Sequence, residues 1–217
     1  MRGLSALIVA IIVGVIAGSL LFVAEAVIGF SLIIAFPAIA GFIVGYAVKL
    51  VSGQTLGSGG RILAALVGGL VALLVYWGGT YVYYQSTFVD IVRADAEGVT
   101  YDESFNAESF LTTLRATAGM PVEENEEYST EELISLLRET EEEEYGTTGV
   151  PAMFTLYAES GISISRSGSS ANGLNLTGAL AYGLWVIEAL ILLGVAIGTS
   201  LRDEEETEET PALHTTA

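Results

Sequence analysis

Glu188 is the residue whose position most directly suggests chemistry. It lies near the middle of an apolar run, residues 178–200, long enough to cross a bilayer at about 20 residues per crossing. A carboxylate at bilayer depth costs at least ~2.5 kcal/mol, so it faces protein or water and could move a proton or hold a cation. A structural acid, protonated or hydrogen-bonded within the protein, is the alternative. Ala181 is the one small residue on its helical face, which predicts that a neighbouring helix meets Glu188 through bulky side chains.

Other residue types with catalytic or ligating chemistry are scarce. The 217-residue chain has no Cys, and its one His, His214, lies close to the C-terminus. Thiolate metal sites, iron–sulfur clusters, Cys nucleophiles and a Ser–His dyad in the membrane are therefore excluded. No Asp lies in an apolar run, so a paired-aspartate intramembrane protease is excluded too. We expect a non-enzymatic protein with no catalytic residue, cofactor or metal site.

Four apolar runs must position Glu188. They cover about residues 3–24, 27–50, 62–84 and 178–200 of a chain that is 52% hydrophobic, and they predict an all-α integral membrane protein. A cleaved signal peptide is the alternative for the first run, but its ~20 apolar residues exceed the ~7–15 of such peptides. Pro37 is expected to kink the second helix, because proline removes one backbone hydrogen bond.

Small residues recur every four positions along these runs. Such spacing lets helix backbones approach closely in lipid, and it favours packing within the chain over the alternative, a dimer face. The predicted packing residues are Ala10, Gly14, Gly18, Gly41, Gly45, Ala64, Gly68, Ala72 and Ala181.

Aromatic residues cluster where the third run ends and where the last run begins. Aromatic rings favour the interface between membrane and water, so both clusters should lie at one membrane face. A ligand cage is the less favoured alternative. The cluster residues are Tyr76, Trp77 and Tyr81 on the third run, and Tyr182 and Trp185 on the last.

The charge of the chain is unevenly distributed. Of a net charge of −18, most lies in residues 85–177, with 18 acids against four Arg, and in the tail 201–217. Arg2, Lys49, Arg61 and Arg202 fall on one side of a four-span arrangement, which the positive-inside rule places in the cytoplasm. A cell-membrane location with both termini cytoplasmic follows. Nucleic acid is disfavoured as a partner, whereas divalent cations are candidates at the acids.

Residues 85–177 are predicted to form a small, mostly helical, acidic extracytoplasmic domain. Asn106 could cap a helix over 107–118, and Ser129 with Glu132 matches a capping box. A third amphipathic stretch follows Pro151, and residues 161–165 alternate like a short strand. The acid runs 123–127 and 141–144 are expected to be solvated, with loose divalent binding as the alternative. The tail 201–217 is predicted to be disordered.

Several stretches resemble a group of uncharacterised bacterial multi-pass membrane proteins. They are YAESGISISRSG, GLNLTG and the Trp-x-x-Glu of the last run, together with GFIVGYAVKL and GSGGRILAALVGGL. The resemblance covers the membrane runs and the return segment, and it implies the four-helix topology. It draws attention to Gly161, Trp185 and Glu188 but implies no activity.

The sequence therefore predicts an interaction or accessory subunit of a membrane assembly, in contact with the lipid bilayer and with a protein partner. The alternative is a small transporter or ion-conducting protein that uses Glu188.

Overall fold

The computed structural model describes residues 2–24, 34–52, 56–96, 129–164 and 174–202. These residues are mostly helical, with one short pair of antiparallel strands in which Ile162 lies opposite Leu176. In chain order the elements are α1 (Arg2–Phe22), α2 (Ala35–Ser52), α3 (Ser58–Ala96), α4 (Thr130–Tyr145), α5 (Val150–Ser160), β1 (Ile162–Ile164), β2 (Leu174–Leu176) and α6 (Ala179–Leu201). β1 lies where the alternation of residues 161–165 predicts a strand.

Four of these helices, α1, α2, α3 and α6, are long and apolar enough to cross a membrane. Many of their large apolar side chains point outward, such as Leu74 at 69% and Leu180 at 66% exposure. Outward apolar side chains suit a helix that is surrounded by lipid rather than by water. The predicted number of apolar spans is confirmed, and it is consistent with a multi-pass membrane protein.

Glycines hold α1 against α3. A Cβ added to Gly14 or Gly18 would meet the carbonyl oxygens of Gly68 and Ala72, so the two backbones are in close contact. A Cβ added to Gly68 would lie 2.8 Å from the carbonyl oxygen of Ala10. Because residue numbers rise together along both helices, α1 and α3 run parallel. The predicted packing residues on the two helices are all buried: Ala10, Gly14, Gly18, Ala64, Gly68 and Ala72.

Glycines likewise hold α2 against α6. Added Cβ atoms on Gly41 and Gly45 would meet the carbonyl oxygens of Leu192 and Ala196, again with residue numbers rising together. The bundle therefore consists of two closely packed parallel helix pairs. A Cβ added to Gly68 would also lie 2.7 Å from the side chain of Val44, so the two pairs meet at this level. These contacts place the small residues in packing within the chain.

α2 begins later than the predicted run from residue 27. Ile34 is in a turn and the helix begins at Ala35, while residues 25–33 lie outside the described part of the chain. Pro37 consequently lies in the first turn of α2, so the predicted kink inside this helix is wrong. The first turn accepts proline because its backbone N–H groups have no partner within the helix.

α3 does not end at Tyr84, where the predicted third run ends. It continues to Ala96 as one helix of 39 residues, about 58 Å long. Residues 85–96, which we call the stem, place Phe88, Val89 and Ile91 in a buried cluster with Leu133 and Leu137 of α4 and with Met153 and Leu156 of α5. The helix continues because one side of the stem stays apolar and packs on α4 and α5, which we call the cap.

α4 begins at the predicted capping box. Ser129 is the N-cap, and the Ser129 side chain and the Glu132 backbone and side chain form the reciprocal bonds of a capping box. At the other end Gly146 adopts φ 63° and donates its N–H to the carbonyl of Glu142. A left-handed residue at this position ends a helix and costs glycine least. The predicted helix over 107–118, the acid run 123–127 and the tail beyond Arg202 lie outside the described residues.

Three basic residues lie at the end of the bundle away from the cap. The α2–α3 connection reaches the start of α1, since Leu56 lies 4.0 Å from a Cβ added to Gly3. The C-terminal halves of α2 and α6 also meet there, because a Cβ added to Gly45 would lie 2.8 Å from Thr199. Lys49, Arg61 and Arg202 are each within five residues of one of these contacting residues, so they lie at the same end of the bundle.

Candidate functional site

α6 turns Glu188 into the bundle. The buried residues on this helix form one stripe, Ala181, Glu188, Leu192, Ala196 and Ser200, and Glu188 itself is 7% exposed. Within residues 3–24, 35–52, 58–84 and 179–201 it is the one acidic residue. Its carboxyl group therefore faces protein rather than lipid, as the cost of a carboxyl group in hydrocarbon requires.

The register between α2 and α6 places Glu188 beside the start of α2. Gly41 lies against Leu192 and Gly45 against Ala196, so one turn earlier Pro37 comes level with Glu188, and both residues are buried. The sequence predicts that a neighbouring helix meets the Glu188 face of α6 through bulky side chains. One turn away, at Leu192, this prediction is wrong, because Gly41 of α2 approaches the backbone of α6. Small residues on α6 are not needed there, because the glycines of α2 provide the space.

Phe154 of α5 joins the two predicted aromatic clusters. Its ring stacks on Trp185 of α6 with centroids 4.2 Å apart and planes at 22°, and it meets Trp77 of α3 edge-on at 5.3 Å. Tyr182 packs edge-on to Trp185 at 5.7 Å and donates its hydroxyl to Thr155 of α5 at 2.9 Å. The clusters from the two helices therefore lie at one level, with the cap between them.

The other two predicted aromatics lie on either side of this contact along α3. Tyr76 packs against the core of the bundle, and Tyr81 stacks on Tyr84 beside the cap with centroids 5.8 Å apart. Trp185 precedes Glu188 by three residues, or about 4.5 Å along the helix axis. Phe154 thus contacts a residue that lies less than one helical turn from Glu188.

A backbone hydrogen bond also ties the cap to α6. The N–H of Gly178 donates to the carbonyl of Ala158 at 2.7 Å, where α6 begins. Gly178 has φ 54°, a left-handed conformation that glycine adopts without a steric penalty. The last turn of α5 is therefore fixed to the first residue before α6.

Glu141 is a second buried acid, and the sequence reasoning missed it. The acid run 141–144 is predicted to be solvated, and residues 142–144 are indeed exposed, but Glu141 is only 1% exposed. Its Oε2 accepts the hydroxyl of Tyr81 at 3.1 Å and the N–H of Gly149 at 2.9 Å. The carboxyl group therefore links α3, α4 and the N-cap residue of α5. Leu133 and Leu137 at i−8 and i−4 are the signal that could have found it.

Burial dominates the electrostatics around Glu141. It raises the pKa of the Glu141 carboxyl group, while the Gly149 N–H, the Tyr81 hydroxyl and the Arg138 guanidinium act in the opposite direction. Burial, reinforced by the charges of Glu159, Glu144 and Glu141, also raises the pKa of Tyr145 to about 12. Among the described residues no group of three or more His, Cys, Asp or Glu could hold a metal ion.

Comparison with protein-family models, with curated proteins and with solved structures found no match to this chain. Its function is therefore inferred from the site. The site consists of a buried carboxyl group in the bundle, an aromatic contact that covers the end of the bundle, and a cap held on α3 by a second buried carboxyl group.

Proposed function

We propose that this chain is a non-enzymatic integral membrane protein that serves as an interaction or accessory subunit of a membrane assembly. The observation that carries the proposal is the fixed position of α4 on the stem of α3. Leu133 and Leu137 are buried against the stem, and every acid of α4 except Glu141 is exposed. The exposed acids are Glu131, Glu132, Glu139, Glu142, Glu143 and Glu144. A rigid acidic face at a fixed distance from the bundle suits docking of a basic partner.

The orientation belongs to the same proposal. Lys49, Arg61 and Arg202 lie at the end of the bundle away from the cap, and the positive-inside rule assigns such an end to the cytoplasm. Both termini are then cytoplasmic in a cell membrane, and the cap is part of an extracytoplasmic acidic domain. Divalent cations could reach the exposed acids of α4 from that side.

Site-specific photo-crosslinking in native membranes tests the docking proposal. A photo-reactive residue in place of Glu139, which is exposed on α4, should form a protein adduct. The matched control carries the same reactive residue with Glu142, Glu143 and Glu144 changed to Lys, and the adduct should be lost. Raised salt should weaken it, since exposed charges are screened over about 10 Å at 0.1 M. No adduct in the wild-type background, or one unaffected by charge reversal, would overturn the proposal.

A small transporter or ion-conducting protein is the second candidate, favoured by the burial of Glu188 beside Pro37. In proteoliposomes this candidate predicts a flux driven by a pH gradient that Glu188→Gln abolishes while the protein stays folded. The accessory role predicts no such flux in the wild type, and Glu188→Leu should then cost only about 0.6 kcal/mol, the average for a hydrogen bond between membrane helices. A flux seen in the wild type and lost in Glu188→Gln would replace the accessory proposal.

A further inference from the structure

Glu141 occupies a position at which the packing of α4 calls for an apolar residue. It follows Leu133 and Leu137 at intervals of four, so all three side chains lie on the same face of the helix. That face packs on α3 and α5, and the three residues are each 1% exposed. A carboxyl group thus completes an otherwise apolar contact between the cap and α3.

The two oxygens of this carboxyl group are in different situations. Oε2 accepts two hydrogen bonds, from Tyr81 and from the N–H of Gly149, the N-cap residue of α5. Oε1 is also buried and has no hydrogen-bond partner among the described residues. A carboxylate there gives up the bonds that water makes to its second oxygen, which is costly in a buried place. The neutral carboxyl group makes weaker hydrogen bonds to water, so it loses less when it is buried.

The groups that face Glu141 do not reverse the preference of this buried site for the neutral carboxyl group. Tyr81 and Tyr84 face it from α3, Arg138 and Tyr145 from α4, and Gly149 presents its N–H at the start of α5. Arg138 is exposed to solvent, which weakens its attraction for the carboxylate. Glu159 of α5 acts on Tyr145 and adds negative charge to the surroundings.

We propose that Glu141 is a proton-sensitive latch, which holds the cap on α3 when it is protonated and releases it when it is ionised. The latch does not require the docking and transport functions proposed above, but it acts on the docking surface, because α4 keeps its fixed position only while the cap is held on α3. Burial raises the pKa of Glu141 while the cap is held on α3. The cap is therefore held most strongly below 4.5, the ordinary pKa of this carboxyl group, and less strongly as the pH rises through the raised pKa. The contact between Phe154 and the two tryptophans should therefore loosen toward neutral pH.

The tryptophans of the chain provide the readout. There are two, Trp77 and Trp185, and both lie on Phe154 of the cap. Their fluorescence emission, measured on the full chain in detergent from about pH 4 to about pH 8, should move to longer wavelength as the cap loosens. A wild-type emission maximum that stays constant over this range would overturn the proposal.

Three variants identify the titrating group. Glu141→Gln should remove the pH dependence, whereas Glu142→Gln, at the exposed neighbouring position, should keep it. Tyr81→Phe removes a donor to the carboxylate and should shift the midpoint to higher pH, which keeps the proposal testable if Glu141→Gln fails to fold. An unchanged pH dependence in Glu141→Gln, a lost one in Glu142→Gln, or an unshifted midpoint in Tyr81→Phe would overturn the latch.

Discussion

Phe154 and Trp185 stack with ring centroids 4.2 Å apart, although one belongs to α5 of the cap and the other to α6 of the bundle. Trp77 of α3 also meets the Phe154 ring, edge-on with centroids 5.3 Å apart. One phenylalanine thus joins the cap to the two helices whose aromatic residues meet at this level. Aromatic pairs of this kind contribute about 0.5–1.5 kcal/mol beyond the area they bury.

Phe154→Ala should undock α5 from the bundle. Phe154 is half-buried, so we expect a loss of about 2 kcal/mol, below the ~3–5 kcal/mol of a fully buried phenylalanine. The emission of the two tryptophans should shift to longer wavelength at acidic pH, where the cap of the wild type is held on α3, measured on the protein in detergent. Phe42→Ala is the matched control, because Phe42 is 51% exposed on α2 and stacks on its own helical neighbour Tyr46. A larger loss in Phe42→Ala would contradict the role assigned to Phe154.

Gly41→Ala should weaken the contact between α2 and α6. The added Cβ would meet the carbonyl oxygen of Leu192, so a backbone must shift, at about 1–3 kcal/mol for overpacking of this kind. Gly194→Ala on α6 is the control, since an added Cβ finds nothing within 4 Å there. Unfolding in mixed detergent micelles measures both. Equal stability of the two variants would show that the close approach at Gly41 is not required.

Ser129→Ala should unravel the first turn of α4. Loss of an N-cap costs about 1 kcal/mol, whereas Ser135→Ala at an exposed position inside the same helix should not destabilise it. Hydrogen exchange resolved along α4 should show faster exchange next to position 129 in the first variant alone. Faster exchange of this turn in Ser135→Ala would point to a general loss of helix stability instead.

Acid should act in opposite directions on the two ends of α4. The backbone N–H of Ser129, and then its side chain, lower the pKa of Glu132, so the capping contribution is present above the ordinary value of 4.5. It is lost as the pH falls through the lowered value. At the other end, protonation of Glu141 stabilises docking. Hydrogen exchange, corrected for its intrinsic pH dependence, should therefore become faster next to Ser129 in acid and slower near Glu141. A change in the same direction at both ends would refute this prediction.

Single-cysteine labelling should place the two ends of α3 on opposite sides of the membrane. Ser58 and Ser86 are exposed and separated by 28 residues of one uninterrupted helix, about 42 Å. Cysteine at position 86 should react with a membrane-impermeant reagent from outside, whereas cysteine at position 58 should not. The natural chain has no cysteine and supplies the background. Labelling of both positions from one side would rule out the crossing.

Spacing along single helices predicted the apolar spans, the small packing residues and the capping box, because each depends on neighbours within a few residues. Which helix meets which could not be predicted. Gly41 faces Leu192 rather than a residue of α1, and this choice depends on contacts between distant segments. Glu141 was missed for a related reason. An acid followed by three exposed acids resembles a solvated face until Tyr81 and Gly149 are brought beside it.

Because α3 is unbroken, one long helix belongs to both the bundle and the contact with the cap. The helix is about 58 Å long, whereas the hydrocarbon core of a bilayer is about 30 Å thick. Membrane helices adjust their tilt to bilayer thickness, and a change of ~10° would swing the far end of such a rod sideways by ~10 Å. Because α4 and α5 pack on that end, the height and lateral position of the cap should change with the thickness of the membrane.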